Sequence, residues 1–484
     1  MLLSNRLKNQ HLLWRAGFGP MAENAAALDI IPQKKMWDLL LDTSAKEPEK
    51  INVAANLLDG LVKGVDGLVQ LEKLTNEQKQ AMRKQSRDDL KNLNLRWLDE
   101  MINSQAQLRE KMSLYWHGHF ACRVINIYYQ QQLLDIIRTN AFGKFSDLLK
   151  EVSKCPAMLQ FLNNQQNKKQ HPNENFAREV MELFTMGRGN YTENDVKEAA
   201  RAFTGWGFNL QGAFVFRPLQ HDTGSKTFLG KTGNFEGDDI IDILLEQQQT
   251  ATFITKKIYR FFVNEKTDDV KIAWLAKRFY ENDYDIKKLM EDIFTSDWFY
   301  EEKNIGTKIK SPVELIVGIR RLLPLELQND NSQLLFQRAL GQILFYPPNV
   351  AGWPGGKSCI DSSTLMLRLR IPQIITANEA INIRPKNDDD VMMGQMMENK
   401  MTDKVNSSFA DKGSTATVDW AAVATIFESV PRENLLTKIS ATILQTKSRV
   451  GTVVLDRYLN NESRENYIKS AIVNLMSTPE YQLC

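Results

Sequence analysis

The sequence predicts a mainly α protein, a large helical domain with a small β-hairpin insertion near residues 212–230. Apolar residues recur three and four positions apart through most of the chain, which is the pattern of amphipathic helices. β-prone residues are concentrated in one glycine-rich stretch, which favours a short hairpin there. The composition, 43% hydrophobic and 25% charged, is typical of a globular chain with a large apolar core.

Capping residues and apolar periodicity place the individual helices. Thr75 and Gln78 have the spacing of a capping box at the start of one helix, and Ser104 is a candidate cap for the next. The predicted helical segments are 90–101, 108–119, 251–262, 272–280, 286–294, 312–323, 332–345, 418–430, 435–445 and 462–476. Their spread along the chain makes helix the dominant structure.

Two stretches interrupt the helical pattern. Residues 212–217 and 226–229 are β-prone runs joined by a turn-rich segment, and they predict one hairpin with His221 and Asp222 near its tip. Residues 347–357 contain three prolines and three glycines around one tryptophan, so they cannot continue a helix. This loop is either a structural plug or the wall of a site.

The length and the local composition suggest three regions. Residues 1–383 form the main helical domain, which carries the motifs described below. Residues 384–419 are polar, rich in Met, Asp and Ser, and lack periodicity, which predicts a disordered or loosely ordered insertion. Residues 420–484 again show helical periodicity and are expected to pack back on the main domain.

Charge and hydropathy limit the partners and the compartment. The net charge is only +2 and the basic residues are spread evenly, so no nucleic-acid partner is expected. No apolar run is long enough to predict a transmembrane segment. The first residues lack the apolar core of a signal peptide, so the cytoplasm is the expected compartment. The four cysteines show no metal-binding spacing and are expected to be free or buried thiols; they are Cys122, Cys155, Cys359 and Cys484.

The five histidines of the chain are its most informative residues, because each lies in an unusual cluster of Gly, Pro, Trp, Arg or acidic residues. Imidazole is the side chain best suited to proton transfer and metal binding near neutral pH. In WHGHF (116–120), His117 and His119 would diverge on a continuous helix but could face one side if Gly118 ends it. The alternatives are therefore a pair of metal ligands, or one core and one surface histidine.

The segment from His171 onward is the richest in ionisable groups. Pro172 suits the first helical position, which makes His171 the predicted N-cap and Glu174 the third residue. Glu174, Arg178 and Glu182 then share one face, with Glu179 beside them. This face is either a solvated ladder of ion pairs or a carboxylate surface that joins His171 in a metal or acid/base site. The next helix, capped by a threonine, also carries acidic and basic residues and could face this one.

The remaining candidate groups could orient or bind a substrate. Asp222 could orient His221, and Lys226 could bind an anion or a carbonyl oxygen; the alternative is a simple turn with an exposed lysine. Arg15, next to a Gly-Phe-Gly turn, could pair with a carboxylate or with a ligand. Motifs of serine hydrolases, P-loop NTPases, zinc proteases and Rossmann dehydrogenases are absent from the sequence.

Taken together, these segments resemble a bacterial family known as domain of unknown function 1800. The segments that carry the resemblance are HLLWRAGFG (11–19), WHGHF (116–120), HPNENFAREVMELFTMG (171–187), YTENDVKEAARAFTGW (191–206), HDTGSKTFLG (221–230), PPNVAGWPGG (347–356) and STPEY (477–481). We call them the motif segments. The resemblance implies a mostly helical fold. It also implies export of many members, and genes that often neighbour those of a sulfatase-like family.

Two functions from different classes are consistent with these residues. The first is a metal-assisted or acid/base enzyme, a hydrolase or oxidase acting on an envelope or extracellular substrate. Its catalytic groups would be His171, Glu174, Glu179, Glu182, His221 and Asp222. Its substrate-binding groups would be Arg15, Arg178, Lys226 and Trp353. Its metal ligands would be His117, His119, His171 and Glu174, which suit divalent iron, manganese or zinc.

The second is a non-catalytic helical binding or assembly protein, whose partner would be the sulfatase-like protein. In that case the charged clusters form a network that fixes how the helices pack. A catalytic site requires clusters that are open to a ligand, whereas a packing network requires clusters that are closed and internally paired.

Overall fold

A computed structural model describes residues 3–25, 27–54, 75–209, 211–376 and 415–484. The protein is 62% helical, with 21 helices and three two-stranded sheets in these ranges. This confirms the predicted fold class. No helix within these ranges is both long enough and apolar enough to cross a bilayer.

Ten helices and a π-helical turn form the first part of the chain. In order, the helices are α1 (Asn5–Arg15), α2 (Ala27–Ile30), α3 (Gln33–Ala45), α4 (Asn76–Asn103), α5 (Gln107–His119), α6 (Ile127–Thr139), α7 (Phe145–Lys154), α8 (Pro156–Phe161), α9 (Glu174–Glu179) and α10 (Glu193–Ala202). The π-helix, Val180–Thr185, directly continues α9. Helix α4 begins one residue after Thr75, the predicted cap.

Eleven helices follow the region of short strands. In order, they are α11 (Gly237–Leu245), α12 (Gln248–Phe262), α13 (Asp269–Glu281), α14 (Ile286–Phe294), α15 (Pro312–Leu322), α16 (Asn331–Ala339), α17 (Ser362–Thr376), α18 (Trp420–Thr425), α19 (Arg432–Ile443), α20 (Thr452–Asp456) and α21 (Arg464–Met476). Helix α16 ends earlier than predicted, because Gly341 adopts a positive φ of 84°.

The β structure differs from the prediction. The two predicted runs do not pair with each other: β1 (Trp206–Phe208) pairs antiparallel with β2 (Phe214–Phe216), and β3 (Lys226–Phe228) pairs with β4 (Lys231–Gly233). The single hairpin is therefore wrong, and two short hairpins replace it. Each forms because a tight turn joins neighbouring strands, which requires less loop closure than the longer connection.

A third pair of strands falls within the predicted insertion. Strand β5 (Leu325–Leu327) pairs antiparallel with β6 (Ala416–Val418), and Asp419 caps α18 through the backbone N–H of Ala422. Residues 416–419, the last of the segment predicted to be a disordered or loosely ordered insertion, therefore belong to β6 and the cap of α18. Most of the segment, 384–414, lies outside the described residues. The helix predicted over 418–430 is also shorter than expected: its first residue belongs to β6, and α18 ends at Thr425.

Buried apolar side chains form two cores that meet around α5. One core contains Trp116, Phe184 and Phe262, and the other contains Trp97 and Phe345 together with side chains of α19 and α21. The last helices also bond to the first one, since the Gln10 side chain donates to the backbone oxygen of Thr442 at 2.6 Å. Helix α5 therefore lies between the two cores, and it carries the WHGHF segment.

Candidate functional site

The first motif segment places His11 and Arg15 in the interior rather than at a surface. Both lie on α1 and are fully buried. The ring of His11 packs on Phe299 with 4.5 Å between centroids, and burial, followed by the charge of Arg15, lowers the pKa of His11. Arg15 donates to the backbone oxygen of Asn304 at 2.8 Å. Its charged neighbours are Glu314 and Glu265, so it does not pair with the Glu-rich helix.

The two histidines of WHGHF diverge because α5 continues through His119. The Nε2 atom of His117 accepts from the backbone N–H of Phe345 at 3.2 Å, and Trp97 packs edge-on against its ring. Burial lowers the pKa of His117 to about 3, so this imidazole is neutral near neutral pH. His119 points elsewhere, with its Nε2 atom 3.3 Å from the backbone oxygen of Phe184. The two rings therefore do not share one ligand position.

His171 lies on the surface, and it is not the N-cap of α9. Asn173 is the cap, and its side chain accepts from the backbone N–H of Asn175 at 3.0 Å. The predicted N-cap is thus wrong, because an Asn side chain reaches the free N–H groups of the first turn more directly than an imidazole does. His171 is exposed and forms an isolated β-bridge with Lys168.

The carboxylates of this segment form ion pairs along the protein surface. Arg178 donates to Glu174 at 3.1 Å and to Glu193 of α10 at 2.7 Å, so α9 and α10 do face each other as expected. Glu182, on the π-helix, accepts from the hydroxyl of Tyr191 at 2.8 Å. Burial raises the pKa of Glu179, and the charge of Glu182 raises it further. These contacts fit the ladder interpretation better than a carboxylate surface centred on His171.

The polar side chains of the HDTGSK segment form hydrogen bonds and an ion pair within the protein. The Nδ1 atom of His221 lies 2.9 Å from the backbone oxygen of Thr204. Asp222 does not orient His221, because its carboxylate pairs with Arg201 at 2.7 Å. Lys226 is buried, and its ammonium donates to the backbone oxygens of Asp222 at 2.5 Å and Gly224 at 3.0 Å. These side chains fix the connection between the two hairpins.

The loop at 347–356 contacts the WHGHF segment through glycine. Gly352 has a φ of 86°, and a Cβ atom there would lie 2.5 Å from the backbone oxygen of Gly118. Trp353 is partly buried, with its ring centroid 5.4 Å from that of His117. A Cβ on Gly356 would collide with the carboxylate of Glu265. Two motif segments distant in sequence therefore meet at close range.

Replacing Gly352 with alanine should lower the stability of the fold by about 2 kcal/mol or more. A left-handed backbone costs an L-residue about 1–2 kcal/mol, and the contact with Gly118 adds to this cost. Chemical denaturation would measure the loss. The control is Gly355→Ala, because Gly355 has a φ of −111° and open space around its Cβ position. Equal stabilities of the two variants would contradict the structural role of Gly352.

The first group of reactive side chains in the interior is the His119 cluster, which we define as Tyr115, His119 and Lys257. The rings of Tyr115 and His119 are stacked with 6.1 Å between centroids. Lys257, partly exposed on α12, lies 3.5 Å from the backbone oxygen of Leu183, and its charge helps to lower the pKa of His119, for which burial is the main cause. The backbone oxygens that contact this cluster, those of Leu183 and Phe184, belong to the π-helix, a form that often occurs at functional sites.

Beside it lies the basic centre, which we define as Arg15, Lys111, Lys308, Lys310 and Arg368 around the carboxylate of Glu314. All six side chains are buried. Lys111 and Lys308 both donate to Glu314, the latter at 2.7 and 2.9 Å. Burial would raise the pKa of Glu314, but the charges of the two lysines and their hydrogen bonds together lower it. The ring of Phe261 connects the two groups, 4.6 Å from Lys308 and 5.2 Å from the ring of Tyr115.

Aromatic residues of the motif segments surround these lysines. The ammonium of Lys310 lies 3.7 Å from the ring centroid of Trp14 and 3.8 Å from that of Tyr481, and Lys111 lies 4.9 Å from that of Phe18. Such contacts stabilise a cation that has left water. Burial lowers the pKa of Lys310 to about 7, although the charge of Glu314 acts against it. The first and last motif segments therefore meet at the basic centre.

The predicted metal ligands are not brought together. His117 uses Nε2 to accept from the backbone, His171 is exposed, and Glu174 pairs with Arg178. Over the described ranges, no group of three His, Cys, Asp or Glu side chains is arranged to hold a metal ion. These donors therefore do not fit one divalent cation. All four cysteines are free, as expected.

The fold and its interior define a mainly helical protein in which the first and last motif segments meet at the basic centre and the loop at 347–356 contacts the WHGHF segment. The sequence model of the family described as "Protein of unknown function (DUF1800)" matches residues 11–483, nearly the whole chain. The chain belongs to this family, which confirms the resemblance. No match was found among curated proteins or among solved structures.

Proposed function

We propose that this protein is an acid/base enzyme in which His119 accepts a proton and Lys257 is the neighbouring proton donor. The observation that carries the proposal is the Nδ1 atom of His119, which is buried and has no hydrogen-bond partner among the residues that the structure describes. The backbone oxygen of Phe184 can only accept, so Nε2 carries the proton and Nδ1 carries a lone pair. A substrate O–H or N–H would satisfy this acceptor.

The charge states of the cluster support the same roles. Burial lowers the pKa of His119, so the imidazole is neutral near neutral pH and the lone pair on its Nδ1 atom is free to accept a hydrogen from a substrate. Burial lowers the pKa of Lys257 to about 8, so its ammonium can release a proton near neutral pH. The partly exposed residues Lys257, Phe261 and Gly118 give the cluster an edge that a substrate can approach. We propose an envelope or extracellular substrate, because the family resemblance implies export of many members.

Competitive labelling of lysines with an acylating reagent would test the proposal without a known substrate. We expect Lys257 to react far ahead of exposed Lys256, its neighbour on α12, and its rate to rise through about pH 8. At pH 7.5 a lysine with that pKa holds on the order of a hundredfold more free amine than an ordinary lysine. Peptide mass spectrometry would locate the label. An unlabelled Lys257 in the folded protein would mean that no ligand reaches the cluster and would refute the proposal.

A matched pair of variants tests whether turnover depends on the buried His119 or on the exposed His171. With a substrate identified from chromogenic esters, phosphates and sulfates, His119→Gln should reduce turnover roughly 10²- to 10⁴-fold. His171→Gln should leave turnover unchanged, because His171 is exposed and outside the cluster.

A metal-assisted enzyme, with iron, manganese or zinc, is the other form of this proposal. It requires near-stoichiometric metal in the purified protein and loss of that metal from folded His119→Gln. Mass spectrometry would measure the metal content of both proteins.

The second candidate is the non-catalytic assembly protein, with the sulfatase-like protein as the proposed partner. It is supported by the closed state of the other clusters, since His117, His221 and Asp222 are all bonded within the protein. Exposed apolar side chains near α20, Val453 and Tyr458, would suit a protein contact. An unreactive Lys257, together with a stable complex of the two proteins in gel filtration, would favour this candidate.

A further inference from the structure

The basic centre carries more positive charge than the groups around it balance. Among the described residues, its five basic side chains face the carboxylates of Glu314 and Glu265. Two of the five share the single carboxylate of Glu314. Buried charges normally have an ionic partner, because desolvation of an unpaired charge costs several kcal/mol. The excess at this position is therefore a reason to look for an anion.

Arg15 has donor groups that the protein leaves unused. Its Nε atom and one terminal nitrogen are buried without a hydrogen-bond partner in the described part of the chain, while the other terminal nitrogen bonds to Asn304. The Nε atom of Arg368 is in the same state. Guanidinium groups are the preferred donors to carboxylate, phosphate and sulfate oxygens. Unused N–H groups on two arginines in one cationic cluster point to a missing acceptor with negative charge.

The basic centre is also close to solvent at one point. Thr307 is exposed, and its hydroxyl lies 3.4 Å from the guanidinium of Arg15. Cys359 is partly exposed and lies 3.6 Å from the guanidinium of Arg368. Each of the two arginines therefore has a side chain with some solvent exposure next to it.

We infer that the basic centre binds an oxyanion, a phosphate, sulfate or carboxylate group, through the unused N–H groups of Arg15 and Arg368. Phe261 places the His119 cluster next to the basic centre. We therefore take the oxyanion to be part of the substrate, and this step rests on the proposed function. The anion would be held by Arg15 while the rest of the molecule extends past Phe261 towards His119.

Calorimetric titration of the full chain with inorganic phosphate, sulfate and acetate in a chloride background would test this inference. We expect one of the three to bind, and its dissociation constant to rise at least about tenfold in Arg15→Gln. The control is Arg321→Gln, since Arg321 is also buried but donates to the backbone oxygens of Gly19 and Ile102. That variant should lose stability and keep the anion affinity.

If Arg15→Gln does not fold, Arg15→Lys keeps the charge, loses the fork of N–H groups and should show the same weakened binding. Absence of binding by the parent protein for all three anions would overturn the inference, as would unchanged affinity in a folded Arg15 variant. Lysine labelling distinguishes this failure from failure of the proposed function. A reactive Lys257 without anion binding would refute only the oxyanion site, and anion binding with an unreactive Lys257 would refute only the acid/base role.

Discussion

Replacing Glu314 with glutamine should cost about 3–5 kcal/mol of folding stability, because it leaves Lys111 and Lys308 buried without a negative partner. The glutamine can still cap α15, since its side-chain oxygen can accept the Ser311 backbone N–H that Glu314 now accepts at 2.7 Å. The loss of folding stability therefore measures the contribution of the carboxylate charge and not that of the helix cap. Urea denaturation at pH 6 would measure it.

The size of this loss should depend on pH. Burial lowers the pKa of Lys111 to about 8, and without the carboxylate that pKa falls further. Between the lower value and about 8, the unfolded variant binds more protons at Lys111 than the folded variant does, so the titration of Lys111 raises the stability of the variant with pH but not that of the parent protein. We therefore expect the difference between the two proteins to shrink from pH 6 to pH 8.

An exposed carboxylate provides the control for this variant. Glu193 pairs with Arg178 at 2.7 Å on the surface, and Glu193→Gln should have no measurable effect because water screens both charges. A Glu314→Gln protein as stable as the parent at pH 6 would show that the two lysines are not charged in the folded state. The description of the basic centre as an ionic cluster would then fail.

Local periodicity was sufficient to predict the helices but not the strand pairs. Segments such as Ile286–Phe294 repeat apolar residues at helical spacing, so the sequence alone determines their buried face. Strand β5 pairs with β6, which lies about ninety residues further along the chain, and no local pattern specifies such a pairing. The same limit explains why residues 212–217 and 226–229 were assigned to one hairpin although each pairs with a different strand.

The candidate site was only partly predictable, for a related reason. His119 was selected because histidine is rare in this chain, but its role as a metal ligand depended on neighbours that the fold places elsewhere. Lys111, Lys308 and Lys310 were not selected, because a lysine in sequence is normally a surface residue. The one local signal was Ser311 followed by Glu314, which reads as an ordinary capping box. Only the fold shows that this glutamate also balances two buried lysines.

Replacing Glu110 with glutamine should also cost about 3–5 kcal/mol, and here the cation that loses its partner should not titrate. Glu110 is buried on α5 and accepts from Arg138 at 2.8 and 3.1 Å and from the indole N–H of Trp97 at 2.8 Å. Unlike a buried lysine, an arginine cannot release its proton to escape the loss of its partner. Denaturation of the variant at pH 6 and pH 8 should therefore show no gain in its own stability from the release of a proton by its buried cation, in contrast to Lys111 in Glu314→Gln.

A double variant shows whether this loss comes from Arg138, which keeps a longer ion pair with Glu100 at 3.4 Å but loses its buried partner. Burial raises the pKa of Glu110 despite the charge of Arg138, so the ion pair itself contributes little net stability. Glu110→Gln combined with Arg138→Met removes both charges and keeps an acceptor for Trp97 and the volume of the arginine stem. We expect it to be more stable than Glu110→Gln alone. A double variant that is less stable than Glu110→Gln would contradict this expectation. It would show that the contacts of Arg138 with backbone oxygens, such as that of Glu49 at 2.5 Å, stabilise the fold more than the ion pair does.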